Sequence, residues 1–169
     1  MESKLKPSPY LDSGAIFSPD RKYRYDLYRV WRKYGRRINF VGLNPSTANE
    51  LIDDPTIRRC ISFAKAWGYG EFHMLNLFAF VASDPRTLCW PNPDPVGPEN
   101  DEYLKALHPE IVIAWGSWGK LHVGIESRAN TVKRMLVDPY CLGVNKDGEP
   151  KHPLYLPATT NLQRYEAKG

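Results

Sequence analysis

Two stretches of the chain are almost continuously apolar: Ile38–Leu43, "INFVGL", and Glu71–Phe80, "EFHMLNLFAF". A strand covered on both faces reads this way. "EIVIAWGS", starting at Glu110, and "YCLGV", starting at Tyr140, are shorter examples of the same pattern. Between the first two, the apolar period changes from strand to helix. In "DDPTIRRCISFAKAWGYG", Ile57, Ile61, Ala64 and Trp67 recur at helical spacing, Asp54 suits the N-cap, Pro55 the first helical position and Gly68 the terminator. "PENDEYLKALH" predicts a second helix and Lys120–Val137 a third. Upstream, "AIFSPDRKYRYDLYRVW" alternates around a Ser-Pro-Asp turn and predicts a hairpin. "NKDG" at 145–148 predicts a turn leading into "HPLYLP".

Strand alternating with helix predicts a three-layer α/β/α fold around a central, mostly parallel, four-stranded sheet, with an N-terminal β-hairpin added. The expected organisation is a single domain over 1–169, with a loose arm at 1–14, a basic aromatic hairpin at 15–34 and the α/β core at 36–157. Prolines 85, 91, 93, 95 and 98 predict a stiff, ordered loop over the sheet edge. Ligands of such sheets collect beyond the C-terminal strand ends. Those ends carry Asn44, Asn76 to Phe78, Trp115–Gly116 and His152, which are expected to share one cleft.

Composition narrows the partner. With 169 residues and 42% apolar, the chain is long enough for a real core. It has no apolar run of the roughly 18 residues a membrane span needs, and its start lacks the apolar middle of a signal peptide. Three cysteines without a CxxC pair and four histidines without HxxxH spacing predict a reducing, cytoplasmic setting and no metal. No cofactor is expected, and the chain is expected to be a monomer. Net charge is +4, but eight Lys and Arg crowd residues 21–37, interleaved with Tyr23, Tyr25, Tyr28, Trp31 and Tyr34. This composition suits DNA or a nucleotide as partner; it equally suits a solvated edge hairpin whose charges block strand pairing.

Familiar chemistries drop out. Neither GxGxxG nor GxxxxGK[ST] occurs, and "GSWG" at 116–119 is one residue short of a GxSxG elbow. What remains is Asn44, an apolar and aromatic wall, Asn76 and His152. An amide both donates and accepts, so it positions a water or reads a base edge. A loop histidine donates to charge developing on a leaving group. Together these meet the needs of N-glycosidic bond cleavage. Each residue also has a plainer role. Asn44 starts a turn, Asn76 bonds a neighbouring loop, His152 satisfies a carbonyl, and Trp115 and Trp118 pack.

In chain order, "VGLNPSTA", "MLNLFAF", "IVIAWGSWG" and "HPLYLP" resemble the motifs of the uracil-DNA glycosylase superfamily. "NPSTA", "DDPTIRRC", "NLFAF", "PVGPEND" and "AWG" are similar to an uncharacterised bacterial and phage family of unknown function. The glycosylase resemblance implies that Asn44 holds the attacking water, Asn76 bonds the flipped base and His152 donates to its carbonyl. It makes Phe78 the stacking partner, in place of the aromatic that usually follows the first motif. Leu154 replaces the serine of the family's His-Pro-Ser loop. Asp53 and Asp54 match no glycosylase motif; one is expected to cap the helix and the other to act as general base or to stabilise the sugar cation. Ser46, Thr47, Arg58, Arg59, Arg36 and Arg37 are the phosphate-contact candidates, with Arg58 and Arg59 alternatively a solvated helix face. The expected activity is release of a damaged or modified base from DNA. A non-catalytic nucleic-acid module, or a hydrolase or transferase acting on a small nucleotide, is the alternative.

Overall fold

The computed structural model describes residues 6–167. In chain order its elements are β1 (Asp12–Phe17), β2 (Arg24–Val30), β3 (Arg37–Gly42), α1 (Pro55–Ala66), β4 (Glu71–Asn76), α2 (Asn100–Lys105), β5 (Ile111–Ile113), β6 (His122–Val123), β7 (Glu126–Ser127), α3 (Arg128–Lys133), β8 (Tyr140–Cys141) and β9 (Gln163–Arg164). The four apolar runs become β3, β4, β5 and β8. They lie side by side in the order β4-β3-β5-β8, all parallel.

The sheet does not stop at four strands. It has seven, ordered β1-β2-β4-β3-β5-β8-β9, and both additions are antiparallel, so the fold is a mixed α/β arrangement with few helices. The hairpin β1–β2 is therefore part of the sheet and not a solvated appendage. Leu27 pairs with Met74 and Arg29 with Phe72, and Arg29 is fully buried. Its guanidinium donates to Asp53 Oδ1 at 2.8 Å and to the carbonyls of Asn49 and Tyr28 at 2.6 and 2.8 Å. These bonds satisfy a charge that a solvated hairpin would have left in water. The expected arm also shortens. Leu11 N–H already bonds Val30 O and β1 starts at Asp12, while residues 1–5 lie outside the described residues.

Strand parity divides the core. Ile38, Phe40, Phe72, Met74 and Val112 join Ile57, Cys60, Ile61 and Ala64 of α1 in one cluster. Val41, Leu75, Ile111 and Ile113 join Leu104 of α2 and Ala129 and Val132 of α3 in the other. Helix α1 begins as its sequence predicts, with Asp54 accepting from Ile57 N–H at 2.9 Å, Pro55 in its first turn and Gly68 at φ +87° just beyond its end. The expected helix over Lys120–Val137 is mostly absent. A 3-10 turn at Ser117–Lys120 and the two-residue strands β6 and β7 take its first half, reversing at Gly124 (φ +72°), and only Arg128–Lys133 is α-helical. Leu121 and Val123, two apart, both pack against the second cluster, which is strand spacing and not that of a helix face.

Candidate functional site

Beyond the C-terminal ends of β3, β4, β5 and β8 lies a cleft of about 640 Å³. The sheet delivers at least one polar group to it from each strand end. Asn44 follows β3, Asn76 closes β4, Gly116 and Ser117 follow β5, and Lys151 and His152 follow the Val144–Pro150 bridge after β8. The N-terminus of α1 supplies Asp54 and Thr56, and the proline-rich loop supplies Ala82, Ser83 and Pro85. Met74, Trp115, Trp118, Leu154 and Leu156 form the apolar part of the wall.

Asn76 is 3% exposed, and its Nδ2 is buried without a hydrogen-bond partner. A native buried amide is rarely left so, since the cost is about 1–3 kcal/mol. Gly42 faces it across the β3–β4 pairing, and a Cβ there would come within 3.0 Å of Asn76 Oδ1. The missing side chain leaves the amide room in the cleft wall.

Asn44 is arranged differently. Its Nδ2 donates to Pro45 O at 2.9 Å and to Ala82 O at 2.7 Å, tying the loop after β3 to the one after β4. Both donors are thus committed, and Oδ1 remains to accept from water or ligand.

His152 Nδ1 accepts from Leu154 N–H at 3.2 Å, so the neutral ring carries its proton on Nε2. Burial holds its pKa below the ordinary imidazole value, against a smaller upward pull from Asp54. The ring is thereby set up as a neutral donor. Gly116, at φ +72°, would bring a Cβ within 3.6 Å of the His152 Cβ, so the chain after β5 passes close to the histidine.

The remaining candidates separate. Asp54 is both the cap of α1 and the carboxylate of the cleft, two duties expected of two residues. Asp53 is not in the lining; it accepts from Arg29 Nε and, at 2.5 Å, from the Tyr10 hydroxyl. Phe78, 1% exposed, packs in the second core cluster away from the cleft, because the chain leaves the strand after Asn76. Trp115 and Trp118 are the aromatic residues of the lining, although Trp115 also packs, donating from Nε1 to Glu149 at 2.6 Å. Ser46 lines the cleft and meets Ser83 Oγ at 3.4 Å; Thr47 is exposed outside it.

The arginine candidates do not gather there. Arg58 turns back to Asp53 O at 2.8 Å, and Arg59 donates to Leu156 O and lies over the Phe63 ring. Arg36, paired with Glu110, and Arg37 sit at the start of β3, the opposite end of the sheet. Among the described residues no group of three or more His, Cys, Asp or Glu is arranged to hold a metal ion, and no helix is long and apolar enough to cross a membrane.

A family model described as "Protein of unknown function (DUF1643)" matches residues 24–154. The chain belongs to the DUF1643 family. No curated protein and no solved structure matches it. The DUF1643 segment opens at Arg24 and closes at Leu154, both in the lining, and spans Asn44, Asp54, Asn76 and His152.

Of the polar cleft residues of this DUF1643 protein that escaped the sequence reasoning, Arg24, Thr56, Ser83, Asn145 and Lys151, Arg24 alone is buried. Arg24 looks like one more base in a basic hairpin. In β2, however, the register slips between the pairs Ile16–Asp26 and Phe17–Arg24, leaving Tyr25 as a β-bulge. A bulge breaks the alternation of faces and re-aims the side chains beside it. Asp26 bonds His73 Nδ1 at 2.8 Å, while Arg24 enters the cleft wall beside Asn76 and Met74. Single-sequence periodicity carries no signal for a one-residue bulge.

Proposed function

We propose that this protein recognises a nucleobase in its cleft and cleaves the N-glycosidic bond, releasing a damaged or modified base from DNA. The observation that carries the proposal is the meeting of Asn44, Asn76 and His152 on one cleft, with the Asn76 amide nitrogen in its wall lacking a protein partner. Asn76 reads the edge of the base, and Trp118, half-exposed at the cleft, offers a face for stacking, while Trp115 is buried. Asn44 Oδ1 accepts a hydrogen bond from the attacking water. The water oxygen bonds the sugar carbon as the carbon–nitrogen bond breaks, and the bonding pair leaves with the base. The proton shed by the water passes through solvent to the departing base anion, giving the free base and the sugar hydroxyl. His152 Nε2–H stabilises the negative charge gathering on that base, and the Asp54 carboxylate stabilises the cationic sugar. A three-layer arrangement like that of the uracil-DNA glycosylase superfamily belongs to the same proposal. So does DNA as the partner of a cytoplasmic monomer.

The test is incubation with DNA carrying uracil, mismatches or hypermodified bases, followed by detection of abasic sites. Wild type is expected to form them on at least one substrate and Asn44→Ala to form far fewer; equal release by both sinks the mechanism. The double tie of the Asn44 amide to Pro45 and Ala82 favours a second reading, a binding module in which Asn44 only shapes the loop. That reading predicts DNA or nucleotide binding unaffected by Asn44→Ala and no abasic sites from any substrate.

A further inference from the structure

Three arginines of this protein are buried: Arg24, Arg29 and Arg128. Two are fully employed. Arg29 pairs with Asp53, and Arg128 pairs with Asp101 at 2.6 Å and bonds Leu77 O at 2.9 Å. Arg24, 2% exposed, has neither arrangement. Its Nη1 donates to Ala48 O at 3.0 Å, its Nε is buried without a partner, and among the described residues no carboxylate pairs with it. Burial lowers its pKa to about 10, with Asp54 the largest opposing influence, so it remains charged at neutral pH. A buried guanidinium without a counter-charge is costly and is expected where a ligand supplies the missing anion.

The surroundings point the same way. The bulge at Tyr25 puts Arg24 in the wall that holds Asn76, and the start of the twelve-residue helix α1 is in that wall too. A helix start favours negative charge. Ser46, Thr56 and Lys151 add donors to the same lining. Asp54 is the one carboxylate there, and it competes with an incoming anion for Arg24.

We propose that Arg24 is the anion subsite of the cleft and takes one phosphate group of a nucleotide ligand whose base lies against Asn76. The assignment of the base to Asn76 rests on the function proposed above; the assignment of the anion to Arg24 stands on the guanidinium itself. The fork of the guanidinium suits two phosphate oxygens. The same chemistry is offered by a free nucleotide and by the backbone phosphate next to an extruded base.

Calorimetric titration of the full chain with thymidine, thymidine 5′-monophosphate, ribose 5-phosphate and a single-stranded oligothymidylate tests it. Wild type is expected to bind the monophosphate at least about tenfold more tightly than thymidine. Arg24→Gln, which keeps a donor for Ala48 O, is expected to erase that gap and leave thymidine binding unchanged. Asp54→Asn keeps the helix cap and removes the competing charge, so it is expected to tighten the monophosphate alone. The proposal is overturned if wild type binds thymidine and its monophosphate equally, if nothing phosphorylated binds, or if folded Arg24→Gln retains the gap. Should Arg24→Gln fail to fold, Asp54→Asn decides, and an unchanged monophosphate affinity overturns it. Arg24-dependent binding of ribose 5-phosphate without thymidine binding upholds the subsite and removes the base reading. Tighter binding of the monophosphate than of the oligonucleotide assigns the group to free nucleotides, and the reverse order assigns it to a nucleic-acid backbone.

Discussion

At the scale of single residues, two buried groups of the cleft wall, Asn76 Nδ2 and Arg24 Nε, have no hydrogen-bond partner in the fold. Asn76 illustrates this. A buried asparagine with full hydrogen bonding costs protein stability when truncated, whereas the Asn76 Nδ2 has no partner to lose. Asn76→Ala is therefore expected to change unfolding free energy by less than about 1 kcal/mol while abolishing pyrimidine binding, as denaturant melts and calorimetry will show. His152 gives the pH dependence. Its pKa is depressed in the fold, so on acidification the unfolded chain takes up the proton first. The stability this neutral ring retains above the unfolded value, about 6.5, is lost as pH falls below it. Wild type is expected to lose more stability than His152→Gln between about pH 7 and pH 5, and the ring to titrate by NMR below the ordinary imidazole value.

Secondary-structure elements differ in how far their sequence specified them. Helix α1 was readable from end to end, since cap, first-turn proline, apolar stripe and terminating glycine are all local signals. Asp54→Ala is expected to cost about 1 kcal/mol of stability and Asp54→Asn close to none, measured by thermal melts. The parallel strands were equally legible, because burial on both faces leaves an unbroken apolar run. The hairpin was legible as a hairpin but not as part of the sheet. Its attachment depends on Arg29 finding Asp53 and the carbonyls of Asn49 and Ile52 in the loop before α1, besides those of Gly14 and Tyr28 in the hairpin itself, and no local pattern encodes the distant partners. Arg29→Ala leaves Asp53 without its ion pair and is expected to destabilise the protein by about 3–5 kcal/mol. The segment after Ser117 misled because Leu121, Ile125 and Ala129 fall at helical spacing, whereas Ile125 is fully exposed at the turn between β6 and β7.

For the whole molecule, the rule that polar residues at C-terminal strand ends converge was enough to bring Asn44, Asn76 and His152 together. It was not enough to bring in Arg24, whose strand runs antiparallel and so reaches the same rim with its beginning. Nor did it remove Arg36 and Arg37, which sit at the far end of a strand whose other end feeds the cleft. On the proposed function, the unpartnered amide, the neutral histidine and the carboxylate of the cleft serve to break a bond to a base and not only to hold it. Single-turnover base release from the best substrate of the DNA panel, compared among wild type, Asn44→Ala and His152→Ala, tests that claim most directly. Each variant is expected to fall by about 100-fold or more with substrate binding retained. Release at the wild-type rate by both variants would show that the bond is not cleaved in this cleft.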